Sequence, residues 1–170
     1  MGAERNPGMH SDQAHLLNIY LRDHEAAAVG GLELFRRCSK ANRGSEYAAE
    51  LQRLTIDVRS NRDALRRFCR MFGVRYSKVG RAVAYTGAIV GRVKPNGRLI
   101  HYSPLSRVLE LEALSSAVTS QLRLWESLLR LSVFEPRLDE TELTRLVAAA
   151  NAQLEALRHL HDAAAEEAFK

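Results

Sequence analysis

The sequence is poor in residues that break helices, and it holds few cysteines. Only four prolines and two cysteines occur among the 170 residues, and aromatic side chains make up 6%. Alanine, leucine, arginine and glutamate dominate, so the composition favours helices, and strand signals are nearly absent. Cys38 and Cys69 fall on the apolar stripes of two different predicted helices. We interpret them as reduced core residues, the alternative being a redox role.

Long apolar runs are also absent. No run approaches the roughly 20 residues of a membrane span, and the start, MGAERNPGMHSD, lacks the apolar segment of a secretory signal. We therefore expect a cytoplasmic protein with no membrane contact. The length and the 46% hydrophobic content suit one domain with a single core.

Motifs of known chemistry are missing too. The stretch 91–112, GRVKPNGRLIHYSPLSRVLELE, has neither a preceding strand signal nor the spacing of a P-loop. No glycine-framed nucleophile turn occurs. His159 and His161 would point about 200° apart on a helix, so they cannot share a metal. These absences favour a non-catalytic protein over an enzyme.

Helical periodicity is the main positive signal. Apolar residues recur at alternating three- and four-residue spacing in four long segments. We expect Gly44 to end the first segment, Ser45 to begin the second, and Ser103 with Pro104 to begin the third. The predicted helices cover residues of about 12–41, 46–72, 103–133 and 139–170.

A long connection separates the two helix pairs. It covers about 74–102 and contains a weaker helical pattern at 77–93. With short turns inside each pair and one long crossover between the pairs, the chain resembles the ferritin-like superfamily. The resemblance implies an all-α, ferritin-like four-helix bundle whose long crossover carries a short extra helix. We expect residues 1–11 to form a flexible tail and 12–170 to form the bundle domain.

Several polar residues interrupt or border the apolar stripes. Such groups need partners when they are buried. If the first turn lies near residue 43, His24 is level with residues 61–62, and we predict a polar core network that fixes helix register. Its predicted members are His24, Asp57, Asn61 and Arg107.

The resemblance also raises the question of metal. Carboxylate proteins of the ferritin-like superfamily bind iron or manganese through glutamates and two Glu-x-x-His motifs. This chain has no Glu-x-x-His, and three candidate ligands remain: Glu50, Glu110 and His161. Our main expectation is no cofactor, and iron or manganese at these three residues is the alternative.

Charge is distributed unevenly along the chain. Residues 53–98 hold twelve basic and two acidic residues, a net charge of +10, so the remainder carries −5 of the total +5. This asymmetry indicates an anionic partner or an oppositely charged subunit surface. A solvated helix face is the simpler alternative, and nucleic acid is a possible partner that the motifs do not favour. If a polyanion binds here, replacing Arg66, Arg67 and Arg70 with alanine should abolish the binding.

The start of the third helix offers a second anion site. Free N–H groups follow Ser103, and basic residues precede it. The candidate residues are Lys94, Arg98, His101 and Ser103. Capping by the Ser103 hydroxyl would satisfy the same donors, and we favour that interpretation.

Together these patterns predict a non-catalytic bundle that forms oligomers, with a homodimer expected, and binds a partner through its basic segment. A redox or storage protein with a degenerate metal site is the alternative. A nucleic-acid-associated factor is a second alternative.

Overall fold

The computed structural model describes residues 11–74 and 103–170. These residues form an all-α bundle of four helices, which confirms the predicted fold class. No strand occurs in the two described ranges. Within those ranges, no helix has a stretch both long and apolar enough to cross a membrane. The helices are α1 (Ser11–Ala41), α2 (Ala48–Met71), α3 (Pro104–Leu131) and α4 (Glu140–Phe169).

The helix directions follow from contacts between distant residues. Near one end of the bundle Tyr20 of α1 meets Ser127 of α3, and farther along Arg37 meets Glu110. The residue numbers rise in α1 as they fall in α3, so these two helices are antiparallel. The short turns within each pair make α1 antiparallel to α2 and α3 antiparallel to α4. Helices α2 and α3 therefore run parallel.

Of the predicted crossover and tail, only Val74 and Ser11 are among the described residues. Predicted helix 77–93, most of the 74–102 crossover and residues 1–10 lie outside the described residues. The chain leaves α2 at Val74, which bonds to the carbonyl of Cys69, and re-enters at Ser103. Because α2 and α3 are parallel, these two points lie at opposite ends of the bundle.

The core lies along the bundle axis and is mostly leucine. Trp125 of α3 is fully buried and lies beside Phe68 of α2, with ring centroids 5.9 Å apart. The predicted stripes of α2 and α3 are buried, apart from partly buried Phe72 and Leu129 at their ends. The fully buried leucines are Leu21, Leu51, Leu54, Leu65, Leu111, Leu114, Leu124, Leu128, Leu143 and Leu157.

The spacing of Leu17, Tyr20 and His24 predicted that these residues form the buried face in the first half of α1, and this prediction was wrong. Leu17, Tyr20 and His24 are only partly buried, whereas Leu21 and Glu25 are buried. One residue corresponds to a rotation of about 100°, so the buried face is displaced by that amount. Both faces carry apolar residues, and α1 packs against α2 on one side and α3 on the other. The packing of α2 and α3 against α1 determines which of these two faces is buried.

The helix ends follow local chemistry, with one exception. Gly44 and Gly73 have φ of 85° and 66°, the left-handed conformation that favours glycine just after a helix. The Ser103 hydroxyl accepts from the Ser106 N–H at 3.1 Å, as predicted. Ser45 does not cap α2, because its hydroxyl donates to the Asn42 carbonyl at 2.7 Å instead. Helix α2 begins only at Ala48, with no side-chain cap.

Candidate functional site

The candidate site is the groove between α2 and α4. These two helices approach each other less closely than the other neighbouring pairs, and small side chains such as Ala64, Ala149 and Ala152 line the space between them. The groove measures about 400 Å³. Its floor and both of its ends carry polar groups.

Two amides form the floor of the groove. Asn61 Nδ2 donates to Gln153 Oε1 at 3.2 Å. Asn61 is 5% exposed and Gln153 is 3% exposed. The second polar atom of each amide, Asn61 Oδ1 and Gln153 Nε2, makes no hydrogen bond to any described residue. Each amide therefore keeps hydrogen-bonding capacity next to the groove.

One end of the groove carries excess positive charge. Arg67 donates to Glu142 at 2.5 Å and so links α2 to α4. Arg145 lies one helical turn from Glu142 and also lines the groove. Within the described ranges, no carboxylate pairs with Arg145. Two guanidinium groups therefore face one carboxylate at this end.

The other end has no excess positive charge. Arg53 donates to Asp57 at 2.7 Å, and both residues line the groove. Arg53 also donates at 2.5 Å to Glu50, which lies beyond the lining. The hydrogen bond from Arg53 lowers the pKa of Glu50, and the same bond raises the pKa of Arg53. The lining of the groove is therefore positive at its Arg67 end and balanced at its Asp57 end.

The three candidate metal ligands take different partners. Glu50 bonds to Arg53, and buried Glu110 receives a bond from Arg37 at 3.4 Å. The Nε2 atom of His161 lies 3.4 Å from the Oε1 atom of Glu112. Among the residues that the structure describes, no group of three or more His, Cys, Asp or Glu side chains is placed to hold a metal ion. The structure does not bring the candidate ligands together.

The four residues of the predicted polar network do not lie together in the structure. Asp57 and Asn61 both line the groove, one turn apart on α2. Arg107 lies at the far end of the bundle, where it bonds to Asn42 at 2.7 Å and to Glu167. Its guanidinium also lies 4.3 Å from the centre of the Tyr47 ring.

His24 lies in a second groove, between α1 and α3, on the outer side of the core. This groove measures about 640 Å³, and aliphatic side chains such as Leu16 and Ile19 line it together with Tyr20, Asp23 and Ser120. The His24 ring meets the Tyr20 ring edge-on, with centroids 4.4 Å apart. Burial lowers the pKa of His24, and nearby Asp23 opposes that shift. The groove is larger than the α2–α4 groove, but it holds fewer polar groups that converge on one point.

The register explains why His24 and Asn61 do not meet. Glu25 receives bonds from Arg62 at 2.9 Å and from Arg66 at 3.3 Å. His24 is therefore level with residues near Arg66, one turn from the predicted position. The cause is the longer first turn, which delays the start of α2 to Ala48.

The predicted anion site at the start of α3 falls mostly outside the described residues. This applies to Lys94, Arg98 and His101. Ser103 is described, and its hydroxyl caps the helix.

Four buried polar residues of the described ranges were not predicted from the sequence: Glu25, Asn42, Glu135 and Gln153. Gln153 lies three residues after Ala150 and four before Leu157, both fully buried. The same alternating spacing, applied with Gln153 as a member, would have placed it in the core stripe. No comparable signal marks Glu25, because its burial depends on the packing of α1.

Comparison of the chain with protein-family models, with curated proteins and with solved structures found no match.

Proposed function

We propose that this chain is a non-catalytic, ferritin-like bundle that acts by binding an anionic partner on the exposed face of α2. The helix order and the parallel α2 and α3 are compatible with a bundle of that type. Since bundles host unrelated activities, the proposal depends on the surface and not on the fold.

The observation that carries the proposal is the unequal pairing of the α2 arginines. Arg62 and Arg66 bond to Glu25, and Arg67 bonds to Glu142. Arg59 and Arg70 are exposed and pair with no carboxylate in the described ranges. Their spacing, three helical turns, places them on one face of α2. The guanidinium groups of Arg59 and Arg70 on this face are therefore available to bind an anionic partner.

The pairing also argues against the metal alternative. Glu50 and Glu110, two of its three ligands, are bonded to arginine. A cation bound there would have to displace a guanidinium, which costs the energy of a charge-assisted hydrogen bond. The proposal therefore names no cofactor.

Retention on heparin, a polyanion, tests the proposal. The Arg59→Gln/Arg70→Gln double variant should elute at clearly lower salt than the unmodified protein, because two unpaired phosphate- or sulfate-binding charges are removed. Arg66 and Arg67 are avoided because they hold carboxylates within the bundle. If the partner is a nucleic acid, the double variant should also be released from RNA or DNA at lower salt than the unmodified protein.

A matched control removes equal charge elsewhere. Arg36 and Arg123 each pair with a glutamate in their own helix. The Arg36→Gln/Arg123→Gln variant should elute close to the unmodified protein. Equal shifts in both double variants, or no retention of the unmodified protein, would overturn the proposal.

The proposal includes a homodimer. Light scattering at several protein concentrations should give the mass of two chains. A single-chain mass at every concentration would remove the dimer while leaving the heparin test unaffected.

A further inference from the structure

We infer that the α2–α4 groove binds a small molecule bearing one oxyanion group, either a carboxylate or a phosphate monoester. The oxyanion lies at the Arg67 and Arg145 end, and the body of the molecule lies over the Asn61 and Gln153 amides. This site goes beyond the proposed function, because it uses neither Arg59 nor Arg70.

The first argument is the charge at the Arg67 end. Glu142 neutralises Arg67 through a 2.5 Å bond, and Arg145 is left without a carboxylate from any described residue. An incoming oxyanion would restore neutrality there. Guanidinium groups suit this role because they donate paired hydrogen bonds to carboxylate and phosphate oxygens.

The second argument is the floor of the groove. The Asn61–Gln153 pair uses one donor and one acceptor on each other, at 3.2 Å. Asn61 Oδ1 and Gln153 Nε2 are not among the sealed atoms that lack a partner, and both residues line the groove, so this acceptor and this donor remain accessible to a ligand. A ligand with a hydroxyl or amide group would be met by both a donor and an acceptor.

The third argument is the shape and polarity of the groove. Its volume of about 400 Å³ lies within the range usual for small-molecule sites. Asp57 and Arg67 are ten residues apart on α2, so the two charged ends are separated by about 15 Å. Arg53 and Asp57 balance each other at the far end, so only the Arg67 end carries excess positive charge, and this fixes the direction in which the ligand lies.

Calorimetric titration with two probes, phenyl phosphate and benzoate, tests the inference and separates the two anion types. At least one probe should bind, and Arg145→Gln should weaken that binding about tenfold, the usual effect of losing a hydrogen bond to a charged group. Because Arg145 makes no ion pair with a described residue, this variant should keep its fold. Arg43→Gln, which removes an exposed arginine from the first turn, should bind as the unmodified protein does.

A second variant tests the groove itself. Ala149→Leu places a larger side chain in the groove, so it should abolish probe binding while circular dichroism shows unchanged helix content. The Arg59→Gln/Arg70→Gln variant should still bind the probe, which keeps this test separate from the heparin test. The inference is overturned if neither probe binds at millimolar concentration, or if Arg43→Gln weakens binding as much as Arg145→Gln.

Discussion

Helix α4 has two different neighbours, and the two interfaces have different compositions. It packs closely against α3, and its Leu143 and Leu157 are fully buried in the core. Toward α2 it presents alanines, Gln153 and Arg145, which line a groove. The first interface is closely packed, whereas the second holds polar groups beside open space. One helix thus carries the apolar packing on one side and the candidate binding surface on the other.

The difference suggests a separation between stability and binding. Buried apolar area supplies most of the favourable free energy of folding. The α3–α4 interface therefore contributes more to stability than the α2–α4 interface, which can carry polar and charged residues at a small cost. Substitutions at these two interfaces test this separation, and substitutions of Glu25 and His24 extend the comparison to α1.

The largest effect is expected from a pair of leucines three residues apart on α4. Leu143 is 0% exposed, while Leu146 is 8% exposed and borders the groove. Leu143→Ala should lower the free energy of unfolding by about 3 kcal/mol, and Leu146→Ala by about 1.5 kcal/mol, because a cavity beside the groove is partly open. Urea denaturation measures both. Equal losses would mean that the two interfaces are packed alike.

The next effect concerns the interface between α1 and α2. Glu25, 8% exposed, is shared by Arg62 and Arg66. Glu25→Gln should cost about 2 kcal/mol, since it leaves the partly buried Arg62 without its counter-charge. The control, Glu33→Gln, removes an exposed partner of Arg36 and should change stability by less than about 0.5 kcal/mol. Similar values for the two variants would place the Glu25 ion pair among ordinary surface pairs.

A smaller effect is expected from the groove floor. Asn61→Leu and Gln153→Leu should each cost about 1 kcal/mol, because each leaves the other amide without its partner. The double variant should recover most of that loss, since two apolar side chains can pack together. A double-mutant cycle measures this coupling. A simple sum of the two losses would show that the amides contribute independently.

The smallest effect is a dependence on pH through His24. Burial lowers the pKa of His24 in the folded state below its usual value of 6.5. Near pH 6.5 the unfolded chain therefore binds more protons than the folded chain does. The stability linked to neutral His24 is fully present above pH 6.5 and is lost as the pH falls from there through the folded-state pKa. From pH 7 to 5.5 the loss should stay under about 1 kcal/mol. The His24→Gln variant separates the pH dependence caused by His24 from that of the other histidines. If stability depends on pH in this variant as it does in the unmodified protein, His24 is not its cause.

The sequence predicted the helices well because helix formation depends mainly on residues that are close together in the sequence. The stripes of α2 and α3 are single apolar faces, so their burial follows from spacing alone. In α1, Leu16, Leu17, Ile19, Tyr20 and Leu21 spread apolar surface around the helix. Periodicity could not choose among these faces, and packing against α2 and α3 decided.

The side-chain partners were harder to predict because they depend on register. A turn two residues longer than expected moved His24 away from Asn61. Glu110 accepts a hydrogen bond from Arg37 of α1, a helix that the alignment of turns did not place beside it. The Asn61–Gln153 pair likewise joins residues 92 positions apart, a distance over which sequence spacing carries no information.

The two short turns also have a consequence for how the chain folds. Each antiparallel pair, α1 with α2 and α3 with α4, brings together residues that are close in sequence, so each hairpin can form early at a low loop-closure cost. Contacts between the hairpins, such as Arg37 with Glu110 and Asn61 with Gln153, span far more of the chain. We therefore expect contacts within each hairpin to form before contacts between the hairpins, so that the groove between α2 and α4 is completed last.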